Sequence, residues 1–374
     1  MKKLFLLIML CASFYANAQY ITTHAKNDFS KQTDGIYYYL PRNVLRIDIM
    51  VEQTDYHKGP LAEYAEQMLG VYDYIRTDGV SYSIKDIKIS TIAQPDPNLC
   101  FQVYVEDKNR DASPLNFNFT PDGVITSFGY RDDMIPADVG LKEKEEHPKE
   151  KRPHEKDLFP KKDEEVSFIK ILMNPDNEDE NSGLRQLTLE EQAVIAVDNI
   201  NRIQQAYYDL VTGYQEVNYG NTMKFMVQKT LELKNEYECL FTGKTSRRII
   251  KETIYITPEP GQETVNVARF SSSDGLLPVN AKKGEIIKMQ FKNENNFKDV
   301  NYLTDEAIKT SNFNNKLLYR IPRNTTVEIL LDNEVLASKQ VKISQFGVIL
   351  SCVMNKMKIK FDPNTGQIIS ISRE

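Results

Sequence analysis

The chain has 374 residues, of which 47 are basic and 53 acidic, giving a formal net charge of −6. This length predicts two or three domains. The acidic balance argues against nucleic acid or an anionic lipid surface as a partner, because both favour a basic footprint. Tyrosine (20) and phenylalanine (17) are plentiful and tryptophan is absent, a composition that favours a sheet-rich fold over a helical one.

The first residues have the pattern of a signal peptide. Lys2 and Lys3 precede an apolar stretch, and the chain then reaches an A-x-A cleavage signature that ends at Ala18. We therefore predict that residues 1–18 are removed and that the mature chain, with a net charge of about −8, is exported to the periplasm or cell surface. No later stretch reaches the ~18 consecutive apolar residues of a membrane span, so we predict no transmembrane segment in the mature chain.

Residues 19–140 show strand patterns with one helical interruption. After the motif YYLPRN at 38–43, apolar and polar residues alternate over 44–52, which predicts a strand with one buried face. Residues between Gly59 and Gly70 repeat instead at helical spacing and predict a short amphipathic helix. Strand patterns return at 84–90, 100–107 and 117–128, the last as a hairpin. We interpret 19–140 as an N-terminal β-rich domain with a short helical insertion.

The next region, residues 141–185, is predicted to be a charged mobile linker or loop. Residues 141–165 hold eight basic and nine acidic side chains with few apolar ones between them. Such a composition buries too little apolar surface to offset the entropy lost on ordering.

Residues 186–243 predict an antiparallel helical hairpin. Thr188 lies three residues before Glu191 in a capping-box pattern, and Gly213 ends the first periodic run. A second run begins at Asn221 or Thr222 and ends at Gly243. The residues predicted to face the core are Ala193, Ala196, Ile200, Ile203, Tyr207 and Leu210 in the first helix, and Met226, Thr230, Leu233, Tyr237 and Leu240 in the second.

Residues 244–374 predict a C-terminal β-rich domain. Short apolar or alternating runs follow one another, with turn residues at intervals of about 8 to 15, as in a β-sandwich or barrel. The predicted fold class is α+β, with two β-rich, sandwich-like or barrel-like units and the helical hairpin between them.

Three motifs occur twice in the same order. YYLPRN at 38–43 recurs as YRIPRN at 319–324, KDIKIS at 85–90 as KQVKIS at 339–344, and FTPDG at 119–123 as FDPNTG at 361–366. One interpretation is an internal duplication. The other is a recurring way to start a strand, because proline pushes the preceding residue toward extended geometry.

The duplication makes specific structural predictions. Pro41 and Pro322 should precede equivalent strands, and Arg42 and Arg323 should point comparably. The inward-facing residues that follow the two motifs are out of step by one, and a one-residue slip would turn a strand inside out. We therefore predict one extra residue, for example a bulge, at positions 325 and 326.

Several segments resemble a known family across nearly the whole mature chain. They are YYLPRNVLRIDIMVE, KGPLAEYAEQMLG, NEYECLFTGK, LLYRIPRNTTVEI, SQFGVIL and FDPNTGQI. Together they resemble the exported Bacteroidetes proteins of domain of unknown function 4831. Similar proteins carry a proline after QFGV, where this chain has Ser351, Cys352 and Val353. The family has no established activity, so the resemblance implies export and the extent of the fold, and no site residues.

Patterns for catalysis are missing from the sequence. G-x-S-x-G, H-E-x-x-H and C-x-x-C do not occur, and the chain has four histidines. We therefore predict no catalytic, cofactor-binding or metal-binding residues and no cofactor. Arg42 and Arg323 are interpreted either as salt-bridged or turn residues or as a shared anion or carboxylate site.

The mature chain keeps three cysteines, an odd number that cannot all pair within one molecule. Cys100 and Cys352 lie in apolar strand-like runs and are predicted to be buried thiols, with a disulfide between them as the alternative. Cys239 lies near the end of the second predicted helix.

Our first functional hypothesis is an exported noncatalytic protein that binds an unknown envelope partner or contributes to envelope assembly. One alternative is a carboxylate-dependent hydrolase of glycans or peptides, which requires facing Asp or Glu residues in a cleft. Another is a carbohydrate-binding module, which predicts an exposed row at Tyr37, Tyr38 and Tyr39. The expected partner is therefore an envelope protein or a glycan.

Overall fold

A computed structural model describes residues 20–25, 35–105, 116–129, 168, 187–213, 220–294, 297, 300–355 and 357–373. The predicted signal peptide lies outside these residues, and so does the predicted linker 141–185 except for Phe168. The described chain is mostly β, with a helical pair between β-rich regions, which confirms the predicted α+β class.

Fourteen strands and three α-helices make up the described fold. The strands are β1 (Tyr20–His24), β2 (Ile36–His57), β3 (Gly79–Val105), β4 (Phe117–Phe119), β5 (Ile125–Phe128), β6 (Lys244–Ile256), β7 (Thr264–Ser271), β8 (Gly275–Leu277), β9 (Glu285–Asn293), β10 (Phe313–Asn314), β11 (Lys316–Leu331), β12 (Glu334–Val353), β13 (Met357–Phe361) and β14 (Ile368–Arg373). The helices are α1 (Leu189–Thr212), α2 (Met223–Thr242) and α3 (Asp305–Thr310).

The strands form three sheets. The first has the order β10-β1-β3-β2-β6, the second β12-β11-β9-β7-β8, and the third β14-β13-β5-β4. Neighbouring strands in all three are antiparallel. Two long hairpins, β2–β3 and β11–β12, are called here the first and second hairpins, and each is followed by a short hairpin, β4–β5 or β13–β14.

Two hydrophobic cores lie along the long hairpins. The sandwich core packs Leu45, Ile47 and Ile49 of β2 against residues of the second sheet that include Met289 and Val327. The end core is formed by other parts of the same hairpins together with the third sheet. Its members include Tyr38, Leu40, Phe101, Leu317, Leu318, Ile349, Ile125, Phe128, Ile359 and Phe361. Each long hairpin therefore passes from the end core into the sandwich core.

The PRN motifs mark the point where this passage occurs, and the prediction that they start strands is wrong. Pro41 lies inside β2 and Pro322 inside β11, each at a register shift. At each shift the partner strand has more residues than the long strand. Residues 96–99 lie opposite Leu40, and residues 344–347 lie opposite Pro322. Proline lacks a backbone N–H, so it is tolerated in strands at such irregular positions.

In the first and second sheets, one further strand pairs with the long hairpin just after the proline. β6 pairs with β2 from Leu45 onward, and β9 pairs with β11 from Thr325 onward. Before Leu45 and Thr325, each long strand therefore has a ladder only with the other strand of its own hairpin. The predicted extra residue at 325 and 326 is not found, because the pairing there is regular and the register shift comes earlier, at Pro322.

The two short hairpins contact the long ones at equivalent places. The backbone N–H of Tyr39, two residues before Pro41, donates to the Gly123 carbonyl at 3.1 Å. The N–H of Arg320, two residues before Pro322, donates to the Gly366 carbonyl, also at 3.1 Å. Both glycines have positive φ, 84° and 74°. Equal contacts in an equal order of elements support the internal duplication over a recurring strand start.

The loops of the two long hairpins differ in length. The second turns through Asp332 and Asn333, which both have positive φ, as a tight two-residue turn requires. The first carries the helical insertion, which is a 3-10 turn (Ala62–Tyr64) followed by a π-helical turn (Ala65–Leu69) and not a regular α-helix. Gly70 ends it in a left-handed conformation.

The helical pair, called here the helical arm, follows the predicted boundaries closely. Thr188 and Glu191 form both bonds of the capping box, and Gly213 ends α1 with positive φ. At its base the arm packs on the helical insertion in a cluster of Leu61, Ala65, Ala193, Ala196, Ile200, Leu240 and Phe241. The insertion thus serves as the platform that holds the arm.

Candidate functional site

The PRN junction, where the two long hairpins meet between the cores, is the most polar buried part of the described chain. Asn43 is central to it. Its side-chain oxygen accepts from the Ser344 N–H at 2.7 Å, and its Nδ2 donates to the Asn364 carbonyl at 2.9 Å. Its backbone N–H donates to Gln345 Oε1 at 3.0 Å, while its carbonyl accepts from Gln345 Nε2 at 2.7 Å. We call this set of bonds the Asn43 clasp.

A second connection runs in the opposite direction, from the second hairpin to the first. Arg320 donates from Nη1 to the Pro41 carbonyl at 2.7 Å and from Nη2 to Asp96 Oδ2 at 3.1 Å. Both side chains are buried. Burial lowers the pKa of Arg320, and the Asp96 carboxylate opposes that effect. Asp96 belongs to the extra residues opposite Leu40, where the register shift bends the first hairpin. Arg320 therefore holds the first hairpin at this bend.

The two arginines that follow the prolines of the repeat, Arg42 and Arg323, do not form one site. Strand alternation places Arg42 on the face opposite Leu45, whereas Arg323 shares the face of Val327. The prediction that they point comparably is therefore wrong. In each side chain the Nε atom is buried without a hydrogen-bond partner. Arg323 stacks over the Phe297 ring at 5.0 Å, a cation–π contact.

Buried carboxylates are the groups that the hydrolase hypothesis requires. Among the described residues, the buried acids are Asp48 and Asp96, and both are held by basic side chains. Asp48 accepts from Thr253 at 2.6 Å and pairs with Lys251 at 3.1 Å. The Thr253 hydroxyl, with Lys251 and Arg46, holds the pKa of Asp48 below its ordinary value. A general acid near neutral pH needs the opposite shift.

The carbohydrate-binding hypothesis loses its candidate row of tyrosines. Tyr38 is fully buried in the end core, and its hydroxyl accepts from the Leu318 N–H at 3.0 Å. Burial strongly raises the pKa of Tyr38. Tyr37, Tyr38 and Tyr39 therefore do not present an exposed row.

Cys100, Cys239 and Cys352 are free thiols in the structure, so it does not contain the alternative Cys100–Cys352 disulfide. Cys100 is buried, as predicted. Cys352, which was also predicted to be buried, is half-buried against the end core, and burial raises its pKa to about 12. Neither thiol is a ready nucleophile, because the thiolate is the reactive form.

The outer half of the helical arm exposes large apolar side chains. α1 has 24 residues, and Ile200 is the last of them in the cluster at the base. Beyond it, Tyr208 is 55 % exposed, Val211 52 % and Phe225 of α2 62 %. Leu233, predicted to face the core, is 41 % exposed. Tyr208, Val211 and Phe225 lie outside the two predicted stripes, whereas Leu210, a stripe residue near the outer end of α1, is buried.

Neither a metal-binding cluster nor a membrane-crossing helix is found among the described residues. Within this part of the chain, no cluster of three or more His, Cys, Asp or Glu residues is placed to hold a metal ion. Its helices also lack the combined length and apolarity that crossing a membrane requires.

Comparison with known proteins identifies the class. The model of Domain of unknown function (DUF4831) matches residues 34–369, which includes both PRN motifs, the helical arm and the final hairpin as far as the start of β14. The chain belongs to this family. Neither a curated protein nor a solved structure matches it.

Proposed function

We propose that this chain is an exported, noncatalytic protein of the cell envelope that binds a partner protein through the outer half of its helical arm. The observation that carries the proposal is the exposure of Tyr208, Val211 and Phe225 on a helical pair whose buried cluster with the helical insertion, among the described residues, lies at its base. Aromatic residues are enriched at protein interfaces, where a large rigid side chain gives contact area at low entropic cost. Export rests on the predicted cleavage after Ala18.

Two features of the rest of the molecule support a binding role over a catalytic one. Asp48 is bonded to the Thr253 hydroxyl and Lys251, and Asp96 is bonded to Arg320 and the Asn98 N–H, which leaves both acids structural tasks. The polar side chains at the PRN junction likewise bond to one another across the two hairpins. The three sheets therefore serve as a rigid support, and the helical arm presents the contact surface.

Site-specific photo-crosslinking in intact cells tests this proposal. A benzophenone amino acid is placed at position 208, at position 225, or at the control position Tyr255, which is 60 % exposed on β6. We expect one cross-linked product of the same size from positions 208 and 225 and none of that size from position 255. The product from 208 should disappear when Phe225→Ser is added. Equal products from all three positions, or none from the arm, would contradict the proposal.

A further inference from the structure

The third sheet has one apolar face, and that face continues from the end core onto the edge strand β14. Phe117, Phe128, Ile359 and Ile371 lie directly opposite one another across the four strands. Directly opposite residues of antiparallel strands share a face. Phe128 and Ile359 are buried in the end core, but Ile371 is 53 % exposed. The apolar face is therefore covered at its centre and open at the β14 edge.

A second isoleucine extends this open edge. The register shift between Lys360 and Phe361 leaves Ile369 without a partner on β13, as in a bulge. Alternation places Ile369 on the same face as Ile371, and it is 63 % exposed. The opposite face of the sheet is polar, since Asn118, Ser127, Lys360 and Ser370 form its cross-strand row.

The composition of β14 sets it apart from the other edge strands of the described sheets. β4, β8 and β10 have three residues or fewer. β6 and β12 are long, but each carries several charged side chains. Short length and charge are two of the ways to prevent strands from pairing between molecules, and a bulge such as the one at Ile369 is another. β14 has six residues, IISISR, and its one charge stands at the end.

We propose that β14 pairs antiparallel with β14 of a second copy of the chain, around a two-fold axis at Ser370. A two-fold contact requires a self-complementary surface. This register puts Ile369 opposite Ile371 of the other copy on both sides of the axis, so four isoleucines gather on one face. The two Arg373 side chains lie at opposite ends of the pair, where they do not repel each other. The third sheets of the two copies become one continuous sheet.

The mature chain, purified at several concentrations, tests this proposal by light scattering after size exclusion. We expect a concentration-dependent species with twice the mass of one chain. Ile371→Lys should return it to the mass of one chain, because an inward-facing charge blocks edge pairing. Ile369→Lys should have the same effect and covers the case in which the first variant does not fold. Ile249→Lys is the matched control, because Ile249 is 56 % exposed on another edge strand, β6, and should remain a dimer.

A cross-link tests the axis itself. Ser370→Cys should give a disulfide-linked dimer under mild copper-phenanthroline oxidation, whereas the unsubstituted chain, with Cys100, Cys239 and Cys352 only, should not. A single-chain mass at every concentration would overturn the proposal. So would dimers that persist in Ile371→Lys and Ile369→Lys, or a Ser370→Cys chain that stays unlinked. These outcomes are independent of the partner of the helical arm, because the arm residues are unchanged.

Discussion

In the first hairpin, the asparagine of the PRN motif is buried and bonded to the second hairpin, whereas Asn324 of the second hairpin is partly exposed. Asn324 accepts from the Glu294 N–H through its carbonyl, and its side chain makes no hydrogen bond within the described residues. The two hairpins share the proline, the register shift and the contact with a short hairpin. The asparagine side chains that follow the prolines nevertheless have different roles. The two hairpins therefore share a backbone path but differ in their polar groups, and those of the first hairpin connect it to the second.

A large expected effect concerns the extra residues opposite each motif. They end with Leu99 in the first hairpin, which packs on the end core, and with Gly347 in the second. A Cβ at Gly347 would overlap the Ile321 carbonyl oxygen and lie 2.9 Å from Pro322 Cα. We expect Gly347→Ala to lower the free energy of unfolding by about 3 kcal/mol or more, because backbone atoms cannot yield easily.

Urea denaturation of the mature chain measures this loss. Gly79→Ala is the control, because a Cβ there meets nothing within 4 Å. Its expected change is within about 0.5 kcal/mol. Equal stability of the two variants would show that the second hairpin does not bend as described.

The second prediction compares two arginines of the same motif. Arg320→Met leaves Asp96 buried without its partner, and removing one member of a buried ion pair costs about 3 to 5 kcal/mol. Arg323→Met removes a contact with the Phe297 ring, worth about 1 kcal/mol. Thermal or urea unfolding of the two variants gives the comparison. Similar losses would mean that Arg320 does not hold the bend of the first hairpin.

The third prediction compares the two asparagines. Asn43→Ala leaves the Ser344 N–H and the Asn364 carbonyl without partners in a buried site, which costs about 2 kcal/mol. Asn324→Ala should change the free energy of unfolding by less than about 0.5 kcal/mol. Circular dichroism during urea titration distinguishes them, and a larger loss in Asn324→Ala would reverse the assignment of roles.

The smallest effect concerns the ion pairs that join β6 and β9 to the long hairpins. Asp48 pairs with Lys251 of β6, as Glu328 of the second hairpin pairs with Lys292 of β9. The folded pKa of Asp48 is lowered, first by the Thr253 hydroxyl, so its contribution is present above its unfolded pKa of about 3.9 and is lost as pH falls through the folded value.

The stability difference between wild type and Asp48→Asn should thus be constant from neutral pH down to about pH 5 and shrink below about pH 4. Unfolding free energies measured across that range check the sign. A difference that grows on acidification would contradict the lowered pKa. Glu328→Gln is the control for a strand-pairing ion pair, and its effect at neutral pH should stay below about 1 kcal/mol.

Local patterns predicted much of this fold. The capping box of Thr188 and Glu191, the glycine helix ends and the alternating residues around Ile47 depend on neighbours within a few positions, and all are confirmed. The bends were missed because Pro41 has the same local pattern whether a strand starts there or bends there. The pairing with Pro95 that separates these cases is not local.

The junction could not be predicted for a related reason. Asn43 and Gln345 are 302 residues apart, and neither belongs to a recognisable polar motif. The exposed Tyr208, Val211 and Phe225 were not predicted either, because they lie outside the apolar stripes that helical periodicity marks. The repeat itself was the one sequence signal that pointed to the junction, through residues 38–43 and 319–324.

The central claim is that the two PRN hairpins are locked to each other through the Asn43 clasp. A double-mutant cycle of Asn43→Ala and Gln345→Ala, measured by urea unfolding of the mature chain, tests it most directly. The structure predicts a coupling free energy of at least about 1 kcal/mol between these positions, because each side chain bonds to groups of the other residue or its neighbour. Losses that add within about 0.3 to 0.5 kcal/mol would contradict the claim.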